Sequence, residues 1–465
     1  MKLKFLLITL FMATSFAFLS CDKNEVEPNE NATVFTDNGD GSITITDKGE
    51  GIGTMTLTAN KTWILQGFVF VNDGQTLTIE AGTLVKGLPG TNENASALIV
   101  ARGGKINAVG TALKPIVFTA NADNYEGTGV DKMAQGLWGG LIILGKATTN
   151  NSTAEKAIEG IPTSETRGLY GGTNDADNSG VLKYVSIRHG GTDIGEGNEI
   201  NGLTLGAVGS GTVIEYIEVI SNKDDGVEFF GGSPQLKNIV VAYCGDDYFD
   251  YDEGFHGKGQ FWFVVQSADG DRVGEHDGGP SDNQTGTPYS MPEIFNVTYI
   301  GNKVDGSKIV TFRENAGGTY ANSIFMNQLK GIDIEYLQDA QGNMVQSCYK
   351  MFNDGNLKLL NNVFYDVVAV STTGDKLFTI SVPKDANGVA LYSVPSDKKT
   401  AFANYFATAG NSIVDVAPLT ATNPVPATAI TSNLAAYPST FFTSVTYKGA
   451  FGATNWASGW TLLFK

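Results

Sequence analysis

Cysteine and histidine are almost missing from this chain of 465 residues, with three of each. No Cys/His pair has the short spacing that a zinc or iron centre needs, so a transition-metal site of that type is excluded. Positive charge is scarce as well: 31 Lys and Arg face 49 Asp and Glu, a net charge of −18 at pH 7. No basic stripe offsets that field, which speaks against nucleic acid as a partner. Amphipathic helical patterns of useful length are nearly absent, which argues against a helical or mixed fold.

One long apolar run exists, Phe5 to Leu19, preceded by Lys2 and Lys4 and followed by Ser20 and Cys21. It is too short and wrongly flanked to span a membrane, and reads as a cleaved export leader over residues 1–20. Residues 21–53 are polar and acidic and read as a tether and N-terminal cap. The remainder, 54–465, reads as one domain, with its closing aromatic stretch as a C-terminal cap that plugs the open end. Cys244 and Cys348 fall about 100 residues apart; they fit two small buried residues, and a disulfide stays open in an oxidising compartment.

Glycine is plentiful, at 57 residues, and β-branched runs recur. Many short strands joined by tight turns follow. Residues 76–87 alternate apolar with polar, as a strand with one buried face must. From Val181 onward apolar residues recur at i, i+3 and i+5: Leu182/Val185/Ile187, Ile214/Ile217/Val219, Leu236/Ile239/Val241, Ile294/Val297/Tyr299, Ala321/Ile324/Met326 and Leu360/Val363/Tyr365. The second and third rows lie 22 residues apart, and the 58-residue gap before Ile294 leaves room for a further row at 260–265. The step from i+3 to i+5 is strand alternation, and the extra residue before it fits a corner. The economical fold is all-β: a parallel β-helix, a solenoid whose turns bury their cores only against neighbours, with long loops on one side. Residues 146–180 read as one such loop.

In this repeat Asp224, Asp225 and Glu228 fall above Asp246, Asp247 and Asp250, at the strand repeat of about 4.8 Å. Neighbouring apolar residues point inward, so Glu228 and Asp250 point outward, with Thr204 and Asp333 in comparable positions. A carboxylate column repels itself unless its protons are held or a cation sits within it. Oxygen ligands without thiolate make Ca²⁺ the candidate ion. The competing expectation is that Asp-Gly and Asn-Gly are turn formers, repeated because the turns repeat. Nearby, His256 and His276, with Asp247, are candidate acid/base groups. His189 reads as a turn residue with a satisfied ring. Tyr248, Asp252, Phe255 and Trp262 are candidate ligand contacts, the rings either stacking on sugars or filling the core.

Several stretches carry a resemblance. Residues 138–145, 198–206, 224–232, 447–452 and 455–460 look like a family of surface proteins of Bacteroidota with a pectin-lyase-like right-handed parallel β-helix. The resemblance runs from about Ala59 to the C-terminus and implies a fold and an envelope location, with no established chemistry. Phe18-Leu19-Ser20-Cys21 resembles a lipoprotein processing site, which implies acylation of Cys21 and anchoring to the outer membrane. The acidic residues after Cys21 look like a tether to the outer face. Gly245-Asp246-Asp247 with His256-Gly257 is similar to the paired aspartates and His-Gly of β-helical polygalacturonases. The Arg-x-Lys motif that those enzymes turn on the substrate carboxylate occurs nowhere here. The expected role is therefore a non-catalytic envelope lipoprotein binding glycan or another envelope protein; the alternative is a polysaccharide lyase or glycoside hydrolase.

Overall fold

A break in each strand row organises the molecule. At the corner of each row the backbone is left-handed at Tyr184, Tyr216, Asn238, Phe261, Asn296, Asn322 and Asn361, with φ between 51° and 61°. Left-handed φ costs a non-glycine residue on the order of 1 kcal/mol, so a stacked series of them marks an imposed corner. Each row turns there and continues, which is why its apolar spacing is three and then two. In the computed structural model, which describes residues 30–195, 198–280, 283–368 and 377–465, Asn31–Lys465 is one compact unit. The leader and Cys21 lie outside the described residues. Among the described residues no helix is long and apolar enough to cross a membrane.

The rows stack in parallel. Gly180–Arg188, Val213–Ile220, Gln235–Ala242 and Lys258–Val265 pair in succession, with Ile217 on Ile239 and Ile239 on Trp262. The row expected at 260–265 is therefore present. On the opposite wall a second sheet runs in parallel through Phe68–Val71, Ala97–Val100, Leu141–Leu144, Leu203–Gly206, Val227–Phe230, Phe249–Asp252, Arg272–Asp277, Lys308–Arg313, Lys330–Glu335 and Phe378–Ser381. The fold is a parallel β-helix.

Two rows sit one residue away from their expected register. Ile294 and Tyr299 lie beside Tyr320 and Phe325, not Ala321 and Met326, and these in turn lie beside Leu359 and Phe364, not Leu360 and Tyr365. A slip of one residue exchanges the two faces of a strand, and only a polar outer face makes that legible. Here both faces are apolar. Tyr320 and Phe325 enter the central core, while Ile324 and Met326 pack outward beneath the C-terminal segment.

That segment corrects a second expectation. The closing aromatic stretch was expected to plug the open end of the solenoid; it lies along the outer face of the larger sheet instead. Phe451 and Leu462 join Ile220, Val240 and Phe263 in one buried cluster, and Trp460 meets the stacked rings of Tyr184 and Tyr216 edge-on. Corner amides hold its backbone: Asn322 donates to Ala435 O at 3.0 Å and accepts from Ala435 N at 2.7 Å, and Gln260 pairs the same way with Thr443. Its end is held by buried Glu218, whose carboxylate accepts from Leu462 N at 2.8 Å and Leu463 N at 2.9 Å. The end of the core is covered by the helix Ser396–Thr408, whose Phe402 and Phe406 pack on Phe378. At the other end Val34–Asp37 and Ser42–Thr46 form an antiparallel hairpin, and the latter strand pairs in parallel with Thr62–Leu65. Parallel stacking thus begins at Ser42, within the segment 21–53 that was read as tether and cap.

Residues 146–179 form the expected excursion. It lies over the smaller sheet, where Ile158, Ile161 and Tyr170 pack on Ile142, Leu144 and Phe230.

Candidate functional site

Strand alternation and parallel pairing build an outward column on the smaller sheet. Val227, Phe229, Phe249 and Tyr251 fill the core, so Glu228 and Asp250 must face out, and their backbones are paired directly. The column extends from Thr204 through Glu228, Asp250, Glu275, Thr311 and Asp333 to Thr379. Thr204 and Asp333 stand where the repeat placed them. Glu275 and Thr311 are members that sequence reasoning missed. The offset from Asp250 to Glu275 is 25 residues instead of 22, and only the alternation of Gly274, Glu275 and His276 carries the signal.

The acids of the preceding corner join this column. Four overlapping groups each hold their carboxylate oxygens within 4.8 Å of one another: Asp224, Asp225 and Asp246; Asp225, Glu228 and Asp250; Asp246, Asp247 and Asp271; Asp247, Asp250 and Glu275. The six acids proposed from sequence as ligands are therefore brought together. Their turns are also built as turns. Gly226 has to be glycine, since a Cβ there would lie 2.1 Å from Val241 Cγ1, and Asp225 Oδ1 accepts from Asp247 N at 2.9 Å.

Burial raises the carboxyls of Asp225, Glu228, Asp247 and Asp250 well above the usual carboxylate range, and neighbouring acids push in the same direction. Asp252 is pushed up to about 8, by burial first and by Glu253 next. Arg272 lies 2.6 Å from Glu275 and 3.5 Å from Asp247, and Arg313 lies 3.0 Å from Glu275 while holding Asp277 through two nitrogens at 2.7 and 2.9 Å. At Glu228 an amide, Asn201 Nδ2, donates to the carboxylate. Asp250 Oδ1 is buried and has no hydrogen-bond partner, and so is the hydroxyl of Thr311, a side chain 2% exposed. An oxygen-lined strip with orphaned acceptors fits a hard divalent cation.

The remaining sequence candidates separate. Asp247 belongs to the strip. His256 lies at its margin, with Nδ1 donating to Gly254 O at 2.7 Å and Nε2 3.3 Å from Asp175. His276 does not reach the outer face. The parity that sends Glu275 out sends His276 in, where it stacks on Tyr251 at 3.8 Å, accepts from Tyr320 Oη at 2.7 Å, and is driven by burial to about 3. As an acid/base group it is corrected to a neutral core residue. Tyr248, Phe255 and Trp262 are likewise corrected: all three are 0% exposed, Phe255 stacking on Phe229 and Trp262 on Phe249. They occupy the solenoid interior, where no sugar ring reaches. Asp252 is half-buried at the end of its strand, its carboxylate accepting from Glu253 N. His189 is a buried left-handed corner residue with Nδ1 2.7 Å from Ala134 O, and Cys244 and Cys348 are free buried thiols.

The profile of a family described as the pectate-lyase like beta helix domain matches residues 49–405. The chain belongs to that family. As a pectate-lyase-like β-helix it is also similar to one solved structure, the pectin methylesterase from Aspergillus niger, at 12% identity over 81% of this chain and 98% of that one, with a TM-score of 0.28. No curated protein matches the chain. Membership of the pectate-lyase-like family supports a carbohydrate-related role.

Proposed function

We propose that this pectate-lyase-like β-helix is a non-catalytic binding protein of the bacterial envelope that holds Ca²⁺ on the outer carboxylate strip and engages an acidic glycan there. The carrying observation is the strip itself: four overlapping triads of acids, the members of each within 4.8 Å of one another, with Asp250 Oδ1 buried and unpartnered. A bound cation offsets the repulsion along the strip and presents a positive face to a carboxylated sugar. The leader and Cys21 support anchoring to the outer membrane of a Bacteroidota cell through lipid. Glycan contact falls to the polar groups around the strip, because the candidate rings are in the core.

One observation favours a second reading, a polysaccharide lyase. Arg272 and Arg313 converge on Glu275, a cationic pair beside a metal strip where a lyase would place its base. Against it, both arginines are fully engaged with acids, and Arg313 is held well above the ordinary guanidinium range by Asp277 and Glu275, although burial opposes this.

The test is incubation of the full chain with neutral and acidic polysaccharides, with and without Ca²⁺, read by mass spectrometry for retained and for shortened glycan. Ca²⁺-dependent retention of acidic glycan at constant length is the expected result. Shortened products with an unsaturated end would replace the binding reading by the lyase, and a glycan partner is ruled out if nothing is retained or cut.

A further inference from the structure

The excursion 146–179 leaves a cleft where it meets the first turns of the smaller sheet. Phe68–Val71, Ala97–Val100 and Leu141–Leu144 are successive strands of that sheet, and Asp73, Arg102 and Lys146 lie just beyond their ends. Two steps of about 4.8 Å spread these three residues along one wall. Glu155 and the stretch Gly171–Asn174 supply the facing rim, and the space between is about 490 Å³, within the range of small-molecule sites. The rim is seated by backbone bonds: Gly171 N donates to Gly145 O at 3.1 Å, Asn174 N to Lys146 O at 2.8 Å, and Lys146 N to Asp177 Oδ2 at 2.9 Å. Close approach keeps side chains off the floor. A Cβ at Gly172 would run into Lys146 O, and one at Gly103 would run into Asp73 Oδ1 and lie 2.7 Å from Lys146 Nζ. A cleft whose walls are fixed in advance loses little entropy when a ligand enters.

Charge is balanced here. Arg102 pairs with Glu155 and also donates to Gly171 O at 3.3 Å, while Lys146 stands opposite Asp73. The second pair is open at 3.7 Å, beyond hydrogen-bond reach, with Lys146 43% and Asp73 76% exposed. A pair of that kind binds its members weakly, so both heads keep hydrogen-bonding capacity for a guest. A phosphate or a sugar carboxylate entering the cleft would meet an acid beside each cation. A hydroxyl both donates and accepts, and suits carboxylate and cation at once. Several hydroxyls on one small rigid body describe a sugar ring, and the family supports a carbohydrate-related role.

We propose that this cleft binds an uncharged sugar residue, whose hydroxyls bridge Asp73 and Lys146 at one end and Glu155 and Arg102 at the other. The site shares no residue with the carboxylate strip and needs no metal ion. An open polar cleft gives a single sugar a Kd on the order of 1 mM. Its use is therefore as one contact among several along a glycan chain, where linked contacts multiply affinity.

The experiment uses the full chain in detergent with chelator present, so that the strip holds no Ca²⁺. Saturation-transfer NMR reads binding of the methyl glycosides of glucose, galactose and xylose, with glucuronate as the charged comparator. Wild type is expected to bind at least one neutral glycoside, and to bind it better than glucuronate. Asp73→Ala and Lys146→Met each remove one head of an exposed pair, so urea midpoints should stay unchanged while affinity falls about tenfold, as loss of a hydrogen bond to a charged group does. Variants that bind like wild type overturn the assignment to this cleft. Wild type that binds no neutral glycoside, or prefers glucuronate, overturns the uncharged ligand. Because Ca²⁺ is absent throughout, each of these results leaves the reading of the strip standing, and failure of the strip to bind Ca²⁺ leaves the cleft untouched.

Discussion

Glu228 and Asp250 stand side by side in adjacent parallel strands, and the hydrogen-bond donors around them serve only the first: Asn201 reaches Glu228, while Asp250 keeps a buried oxygen with no donor. The pair is the least compensated point of the outer column, and the stability of the apo protein should register it.

Asp250→Asn is expected to stabilise the protein in chelator, since it removes a buried like charge, and to remove the response to Ca²⁺. Wild type should gain about 2.7 kcal/mol at a hundredfold excess of Ca²⁺ over its dissociation constant. Denaturant titrations of both proteins, with and without Ca²⁺, check this. An Asn variant that responds to Ca²⁺ like wild type would remove Asp250 from the site.

Trp262→Ala should lower stability by about 3–5 kcal/mol, the range for a large core side chain, and leave the glycan affinity of the folded fraction unchanged. Trp262 is stacked between Phe249 and Phe229 inside the solenoid. Chemical denaturation and glycan retention, measured on the same sample, separate the two effects.

Glu218→Ala should release the C-terminal end. The substitution removes the acceptor of Leu462 N and Leu463 N and leaves buried Arg188 without the carboxylate beside it, at a cost of about 3 kcal/mol or more. Limited proteolysis should cut the variant first in the last twenty or so residues, and the solenoid should stay intact.

Lys448 gives a pH dependence of definite sign. Burial lowers it from 10.5 to about 8 in the folded chain. The unfolded chain therefore holds this proton more tightly, and below pH 8 folding carries the full cost of burying the charge. That cost fades as pH rises from about 8 to 10.5, so stability from this group rises across the window. Lys448→Met should be more stable than wild type at pH 7, with a difference that shrinks toward pH 10.5, as urea midpoints at a series of pH values would report.

Much of the architecture was legible because a solenoid repeats its own argument. Ile214, Ile217 and Val219 above Leu236, Ile239 and Val241 state the turn length, and strand parity at Val227, Glu228 and Phe229 states which acid faces out. The same parity, carried one strand further, would have put Glu275 in the column and His276 in the core, but the turn between them gained three residues and the alignment was lost. Phe255 and Trp262 could not be assigned at all from sequence, because an aromatic ring suits a sugar face and a core equally well.

The sequence by itself determined the parallel β-helix, the outward direction of Glu228 and Asp250, and the stacking of Asp224 and Asp225 over Asp246 and Asp247, because each follows from a local period repeated along the chain. The tertiary structure alone decided what covers those surfaces. Residues 146–179 return to place Glu159 beside Asn201 and Glu228, and the C-terminal segment returns to place Leu462 on Glu218. Such contacts depend on where a non-repeating segment finds apolar surface to bury, a choice made by the assembled faces and carried by no period in the chain.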